Sequence, residues 1–320
     1  MVTPSTAIVY TYVGGMKAVL WTDLIQFFLY LTGALVALAA ILNRLPGGWD
    51  QLIAMGQEAG KFRVLDLRLD WSEPYGLWAG LVGGVFVTLG SHGVDQLMVQ
   101  RYLSARGLPA ARRAVWVSGL IVVAQFALFL LIGVGLWSFY QLHPSAVPFD
   151  RADRVFARFI LDELPVGMVG LLLGAIFAAA MTSSLNSCAT VAVNDLYLPG
   201  RQVSPERQLR LTRILTAVFG AIQIAVGIAG QWLRSSIVSS VLGIAAFTTG
   251  IVLGVFFLGM FTRRVGQRAA LAGLVAGFAG MTWVYFGTPL AWPWYALAGS
   301  LMTVAAGLAA SYVWPAIRTA

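Results

Sequence analysis

Long apolar runs alternate with short polar segments along the whole chain, and each run is about 20 residues long or slightly longer. That length is what an α-helix needs to cross the hydrocarbon core of a bilayer. The pattern therefore predicts an all-α polytopic membrane protein with about eight transmembrane helices. The eight runs lie at Val19–Leu42, Tyr75–Val94, Val115–Phe139, Gly167–Val193, Leu211–Leu233, Ile237–Phe261, Ala269–Phe286 and Trp292–Trp314.

Composition supports the same class and excludes several others. Hydrophobic residues make up 59% of the 320 residues and charged residues only 11%, whereas soluble domains are about one quarter charged. The net charge is +8, but the basic residues form short clusters between apolar runs and not the continuous stripe that binds nucleic acid. One cysteine and two histidines argue against a disulfide framework or a Cys/His metal centre. We expect no nucleic-acid partner, no enzymatic activity and no cofactor.

Basic residues in the connecting segments predict the orientation, because cytoplasmic loops of membrane proteins carry an excess of Lys and Arg. With both termini in the cytoplasm, thirteen of the 21 basic residues lie inside and eight outside. We therefore expect an integral protein of the cell (inner) membrane with this topology. The two longer outside loops are then Asn43–Pro74 and Gln141–Val166, and apolar residues at helical spacing near 155–160 predict a short surface helix in the second.

Two polar features lie inside the predicted spans, where polar side chains are costly and mark functional candidates. Asp23, in the first span, is either an ion or proton site or an interfacial acid that reaches water. In the fourth span, Ala179, Thr182 and Ser183 fall at i, i+3 and i+4 on one helical face. The Ala179 carbonyl and the two hydroxyls suit a dehydrated Na⁺. The alternative is that the hydroxyls only bond back to the helix or to neighbouring helices.

Four stretches in a fixed order carry recognisable motifs. Tyr12–Gln26 reads Gly-Gly-x-x-Ala-Val-x-Trp-Thr-Asp-x-x-Gln from Gly14 onward and includes Asp23. The others are Val94–Arg106, then Gly170–Ser183 with Asn186, Ser187 and Asp195–Tyr197, and finally Leu253–Phe261 with Arg263 and Gly273. Together they resemble the sodium:solute symporter family over nearly the whole chain. This ordered set is more specific than any single motif.

The resemblance implies two inverted five-helix repeats, with substrate and sodium bound at mid-membrane beside broken helices. It places the last helix of the first repeat at 19–42, the second repeat at about 75–261 and two C-terminal helices at about 269–314. All of these form a single transmembrane transporter domain over 1–320. The first helices of the first repeat, which include the broken helix of the main sodium site, have no counterpart. We therefore expect a truncated or fragmentary symporter that transports little on its own.

The resemblance also transfers sodium-site residues, in one of two registers. Counted from the N-terminal side of the fourth span, Ala179, Thr182 and Ser183 supply oxygens to the main sodium site of the family. Counted from its C-terminal side, the helix is about three residues short. Thr182 and Ser183 then fall at the second sodium site of the family, near Asp23. The first register is preferred because it reproduces the Ala-x-x-Ser-Ser face of the family, and both registers retain Thr182 and Ser183.

Four residues are candidates for binding the solute. Thr88 and Ser91 stand where sugar transporters of the family place an amide and an aromatic gate, and because neither type is present a sugar substrate is disfavoured. His92 either contacts the solute or bonds a neighbouring helix. Gln125, in the third span, is a candidate amide of the substrate pocket.

The function that the resemblance implies is sodium-coupled secondary active transport of a small organic solute. The partners are then Na⁺, the solute and the lipid bilayer, and Na⁺ is a coupling ion with no other cofactor. Two alternatives stay open. One is a proton-coupled transporter with Asp23 as the proton carrier, and the other is an uncoupled, transporter-like membrane sensor module.

Overall fold

The computed structural model describes residues 3–144, 149, 151–180, 184–201, 203–230 and 236–315, and over these ranges it is helical with no strand beyond one isolated bridge. The α-helices are α1 (Thr3–Arg44), α2 (Gly48–Glu58), α3 (Gly84–Gly93), α4 (Gln96–Leu103), α5 (Leu108–Leu142), α6 (Asp153–Glu163), α7 (Val166–Ala180), α8 (Ser184–Val191), α9 (Pro205–Ala229), α10 (Ile237–Phe261), α11 (Gln267–Gly287) and α12 (Trp294–Val313). A π-helix at Ala79–Gly83 leads into α3, and a second at Ala192–Tyr197 follows α8.

The all-α membrane class is confirmed, and six of the predicted spans are single helices long and apolar enough to cross a bilayer. These six lie in α1, α5, α9, α10, α11 and α12. The second predicted span is instead a shorter apolar helix, Ala79–Gly93, whose first turn is π-helical. The fourth is built from α7, α8 and the second π-helix, and its residues 181–183 lie outside the described ranges. Both contain a π-helical turn that the prediction of a regular helix did not include.

The first of two compact units contains residues Met1–Phe62 and Val117–Arg234. Its hydrophobic core joins α1, α2, α5, α6 and α7 through buried residues, among them Ala34, Ala37, Ile41, Leu52, Ile132, Leu136, Phe139, Phe159, Ile160 and Leu172. The predicted surface helix is confirmed as α6, which inserts its apolar face, with Phe159 and Ile160 buried, into this core.

The second unit contains residues Arg63–Trp116 and Ser235–Ala320. Here α12 packs closely against α10 and α11, because glycines let the helix backbones approach one another. A β carbon on Gly250 of α10 would fall 2.7 Å from the carbonyl oxygen of Ala296. A β carbon on Gly273 of α11 would fall 2.8 Å from that of Thr303. The prediction of one transporter domain over 1–320 stays a prediction.

Candidate functional site

The polar end of α1 continues the face that this helix buries in the core. Asp23, Tyr30 and Ala37 are spaced by seven residues, so they lie within about 20° of one another per step around the helix. Ala37 is fully buried, whereas Asp23 and Tyr30 are half-buried. The carboxylate of Asp23 therefore lies on the bundle side of α1, on the same face as its packed residues.

Helix α7 runs antiparallel to α1 along this region. Arg44 forms an ion pair of 2.9 Å with Glu163, just before α7, and Leu172 packs into the space beside Gly33. The two helices rise equally per residue, so eight residues beyond the Gly33–Leu172 contact the last residue of α7, Ala180, comes level with Ile25. The C-terminal end of α7 therefore approaches the level of Asp23.

Of the three predicted oxygen ligands in the fourth span, only Ala179 lies within the described residues. Ala179 lies near the end of the described part of α7. Thr182 and Ser183 lie outside the described residues. Helix α8 begins at Ser184 and carries an exposed cysteine, Cys188.

Gln125 is held by a residue that the sequence did not single out. The hydroxyl of Tyr30 donates a hydrogen bond of 2.9 Å to Oε1 of Gln125, so α1 and α5 are joined by their side chains. The Tyr30 ring also lies against Phe27 and Phe129, with ring centroids 5.4 and 6.5 Å away. The side-chain oxygen of Gln125 thus accepts a hydrogen bond from Tyr30, which lies in a cluster of aromatic rings. The seven-residue spacing from Asp23 was the available signal for Tyr30.

Thr88, Ser91 and His92 belong to the second unit and lie together near the C-terminal end of α3. Oγ of Ser91 lies 2.9 Å from Nδ1 of His92 and 3.3 Å from the carbonyl oxygen of Thr88. The His92 ring stacks on Tyr102 of α4, with centroids 6.3 Å apart. Thr88 is exposed and lines an open groove of about 390 Å³ with Gly80 and Gly84. His92 thus bonds its own helix and stacks on the next, while Thr88 is accessible.

The extended segment that precedes the first π-helix is fastened by charge and by backbone bonds. Asp66 accepts two hydrogen bonds from Nε of Arg68, at 3.0 and 3.1 Å, and its backbone carbonyl accepts one from the amide of Leu77. The indole of Trp78 donates to the carbonyl of Leu67 over 3.2 Å. Hydrogen bonding from Arg68 holds the pKa of the Asp66 carboxyl far below its usual range. The segment is therefore held against Leu77 and Trp78, which immediately precede the first π-helix.

Comparisons with known proteins give one consistent result. The sequence model of the sodium:solute symporter family matches residues 1–277. A sodium/sialic acid symporter of Aliivibrio fischeri is 29% identical, with 94% of this chain and 61% of the relative covered. The human sodium/iodide cotransporter is 31% identical, with 88% of this chain and 45% of the relative covered.

A solved structure extends the likeness to the fold. It is the substrate-bound, outward-open state of a Na⁺-coupled sialic acid symporter described with a novel Na⁺ site. It matches this chain with a TM-score of 0.77 and 27% identity, over 97% of this chain and 65% of its own length. The chain spans about six tenths of its bacterial relatives and less than half of the human one.

Proposed function

Because this chain belongs to the sodium:solute symporter family, we propose that it takes part in sodium-coupled secondary active transport of a small organic solute. The observation that carries the proposal is the likeness, over 97% of the chain, to a solved Na⁺-coupled symporter. In such a transporter, Na⁺ and solute stabilise the same state, and joint binding lets the protein release both on the other side.

The cation site of the proposal lies where α7 approaches Asp23. The Gly33–Leu172 contact supports this position, because ten residues back along α1 lead to Asp23 and ten residues forward along the chain lead to residue 182. Thr182 and Ser183 would supply hydroxyl oxygens and Asp23 a carboxylate. This arrangement favours the register in which the two hydroxyls serve a site near Asp23. The Ala179 carbonyl belongs to the alternative register.

The solute proposal rests on the relatives and on the α3 residues. The names of the relatives specify sialic acid, iodide, vitamins and monocarboxylates. Carboxylate-bearing small molecules are therefore the first class to test. Thr88 is the accessible candidate for contact with such a solute. Ser91 and His92 would act through the hydrogen bonds described above. Gln125, in the first unit, is a separate candidate.

Orientation and location complete the proposal. Both termini lie in the cytoplasm and the protein resides in the cell (inner) membrane, as the distribution of Lys and Arg indicates. A half-buried carboxylate on the bundle side of α1 also favours one second candidate, proton coupling through Asp23.

Cys188 is the single cysteine of the chain, and it offers a direct test because it stands five residues beyond Ser183. Alkylation requires a water-accessible thiolate, so its rate in membranes reports local structure in α8. We expect Na⁺ to change the rate of maleimide labelling in a saturable way, while choline at equal ionic strength does not. In a proton-coupled protein the labelling rate would change with pH and not with Na⁺. A rate that is indifferent to both cations and to pH would contradict the proposed coupling.

A further inference from the structure

A cavity of about 520 Å³ lies between the C-terminal half of α5 and the segment that contains α6, a volume typical of ligand pockets. Its walls are mostly aromatic and aliphatic: Phe129, Ile132, Gly133, Leu136, Trp137, Tyr140, Gln141, Phe149, Ala152, Val155 and Phe156. Gly133, Gln141 and Ala152 are exposed, so the cavity is open to its surroundings. The polar side-chain groups of these walls are the Trp137 indole, the Tyr140 hydroxyl and the Gln141 amide.

A lysine lies against one of the residues that line the cavity. Nζ of Lys61 lies 5.2 Å from the ring centroid of Trp137, in a cation–π contact. The two carboxylates at the end of α6 are paired with arginines, Glu163 with Arg44 and Asp162 with Arg158. Within the described part of the chain, no acidic side chain lies within ion-pair distance of Lys61. The apolar cavity therefore has, against its lining residue Trp137, an ammonium group without an ion-pair partner among the described residues.

The cavity opens from a helix that belongs in a bilayer. The apolar window of α5 has a mean hydropathy of 2.5, and only 6% of it is buried within the protein. Such a surface is surrounded by acyl chains, whereas the part of α5 beyond it also packs into the core through Leu136 and Phe139. An open apolar cavity next to this surface fills with the apolar molecule present at the highest local concentration. The ammonium of Lys61 adds electrostatic selection for an anionic headgroup.

We infer that this cavity binds one acyl chain of an acidic membrane phospholipid, whose phosphate lies beside Lys61. The aromatic side chains of Phe129, Phe149 and Phe156 enclose the chain, and Lys61 selects the headgroup. The site is separate from the proposed cation site near Asp23, and its occupancy does not depend on the transported solute.

Lipid binding to the purified chain tests the inference. Native mass spectrometry measures the apparent affinity for phosphatidylglycerol and for phosphatidylcholine with the same acyl chains. One basic residue near the surface contributes about fivefold in affinity for an acidic lipid. We expect a preference of that size for phosphatidylglycerol in the unaltered protein, and Lys61→Gln abolishes it while affinity for phosphatidylcholine is kept.

A matched pair of glycine substitutions on α5 locates the site. A β carbon on Gly133 or on Gly119 meets no atom within 4 Å, so both positions accept a side chain. Gly133→Phe fills the cavity and removes the tightest lipid-binding event, whereas Gly119→Phe, which does not line it, leaves that event unchanged. Equal binding by both variants would overturn the inference, as would a headgroup preference that survives Lys61→Gln.

Fluorescence gives a second measurement that needs no cavity-filling variant. Phosphatidylglycerol with brominated acyl chains quenches tryptophans that it contacts, and Trp137 lines the cavity. The quenched fraction should fall in Trp137→Phe relative to the unaltered protein. An identical quenched fraction in the two proteins would contradict an acyl chain in this cavity.

Discussion

The hydroxyl of Tyr30 and the side-chain oxygen of Gln125 join α1 to α5 by a hydrogen bond of 2.9 Å between residues 95 positions apart. Tyr30→Phe removes the donor and keeps the ring against Phe27 and Phe129. Hydrogen bonds between membrane helices average about 0.6 kcal/mol, and hydrogen bonds in general contribute about 0.5–1.5 kcal/mol. We expect Tyr30→Phe to lower the free energy of unfolding by about 0.5–1.5 kcal/mol. Steric trapping or mild denaturant in bicelles measures this change.

The control for this prediction is a double-mutant cycle with Gln125→Leu. If the two side chains act through one bond, the second substitution costs less in the Tyr30→Phe background than in the unaltered protein. Strictly additive losses would mean that the two residues contribute independently.

The close approach of α1 and α7 depends on Gly33, because this residue has no β carbon. Leu172, which is 6% exposed, occupies the space that a β carbon on Gly33 would need. We expect Gly33→Ala to lower the free energy of unfolding by about 1–3 kcal/mol, as overpacking does. Gly170→Ala is the matched control on α7, because its β carbon meets nothing within 4 Å. Thermal unfolding of both variants in detergent checks the difference, and a loss of similar size in Gly170→Ala would remove the steric explanation.

The proposed cation site predicts graded effects on sodium dependence. Thr182→Ala or Ser183→Ala removes one hydroxyl oxygen that would coordinate Na⁺. The loss of one such contact to a charged group costs about 1.5–3 kcal/mol, or roughly 10- to 150-fold in sodium affinity. The sodium concentration that half-saturates the change in Cys188 labelling should rise by that factor. Thr190→Ala, further along α8, serves as the control and should leave it unchanged. If neither hydroxyl variant alters the sodium response, these side chains are not ligands.

Asp23→Asn decides between the two registers of the fourth span. If Thr182 and Ser183 share their ion with Asp23, the substitution weakens sodium binding at least as strongly as either hydroxyl variant. If the ion lies at the Ala179 carbonyl, sodium binding changes little. The same labelling assay measures both outcomes. A normal sodium response together with a lost pH response would assign Asp23 to proton transfer.

The Asp66–Arg68 pair predicts a pH dependence for the segment before the first π-helix. Hydrogen bonding from Arg68 lowers the pKa of folded Asp66, so the pair stabilises the segment fully above the ordinary carboxyl pKa of about 4. That contribution is lost as the pH falls below 4 toward the folded pKa. Hydrogen exchange of residues 63–72 should therefore accelerate at low pH beyond its intrinsic trend. Arg68→Gln should show faster exchange already at pH 7 and a weaker change on acidification; an unchanged profile would contradict the role of the pair.

Hydropathy predicted the six long helices because an apolar run of sufficient length leaves the backbone few other ways to satisfy its polar groups. At Tyr75–Val94 it predicted an apolar helix, but not the π-helical first turn of the helix Ala79–Gly93. The surface helix α6 followed from its periodicity. The Tyr30–Gln125 bond did not, because it depends on how two distant helices pack. The same holds for the place of Leu172 beside Gly33.

The π-helical turn at Ala79–Gly83 changes how residues on either side of it must be counted. A π turn contains one residue more than an α turn, so a helical wheel drawn straight through it misplaces Trp78 relative to Thr88 by about 100°. Deleting one residue from the turn would restore α-helical phase and swing the Trp78 indole away from the Leu67 carbonyl. The extra residue therefore rotates Trp78 relative to Thr88 around the helix axis. With this rotation the Trp78 indole reaches the Leu67 carbonyl while Thr88 stays accessible.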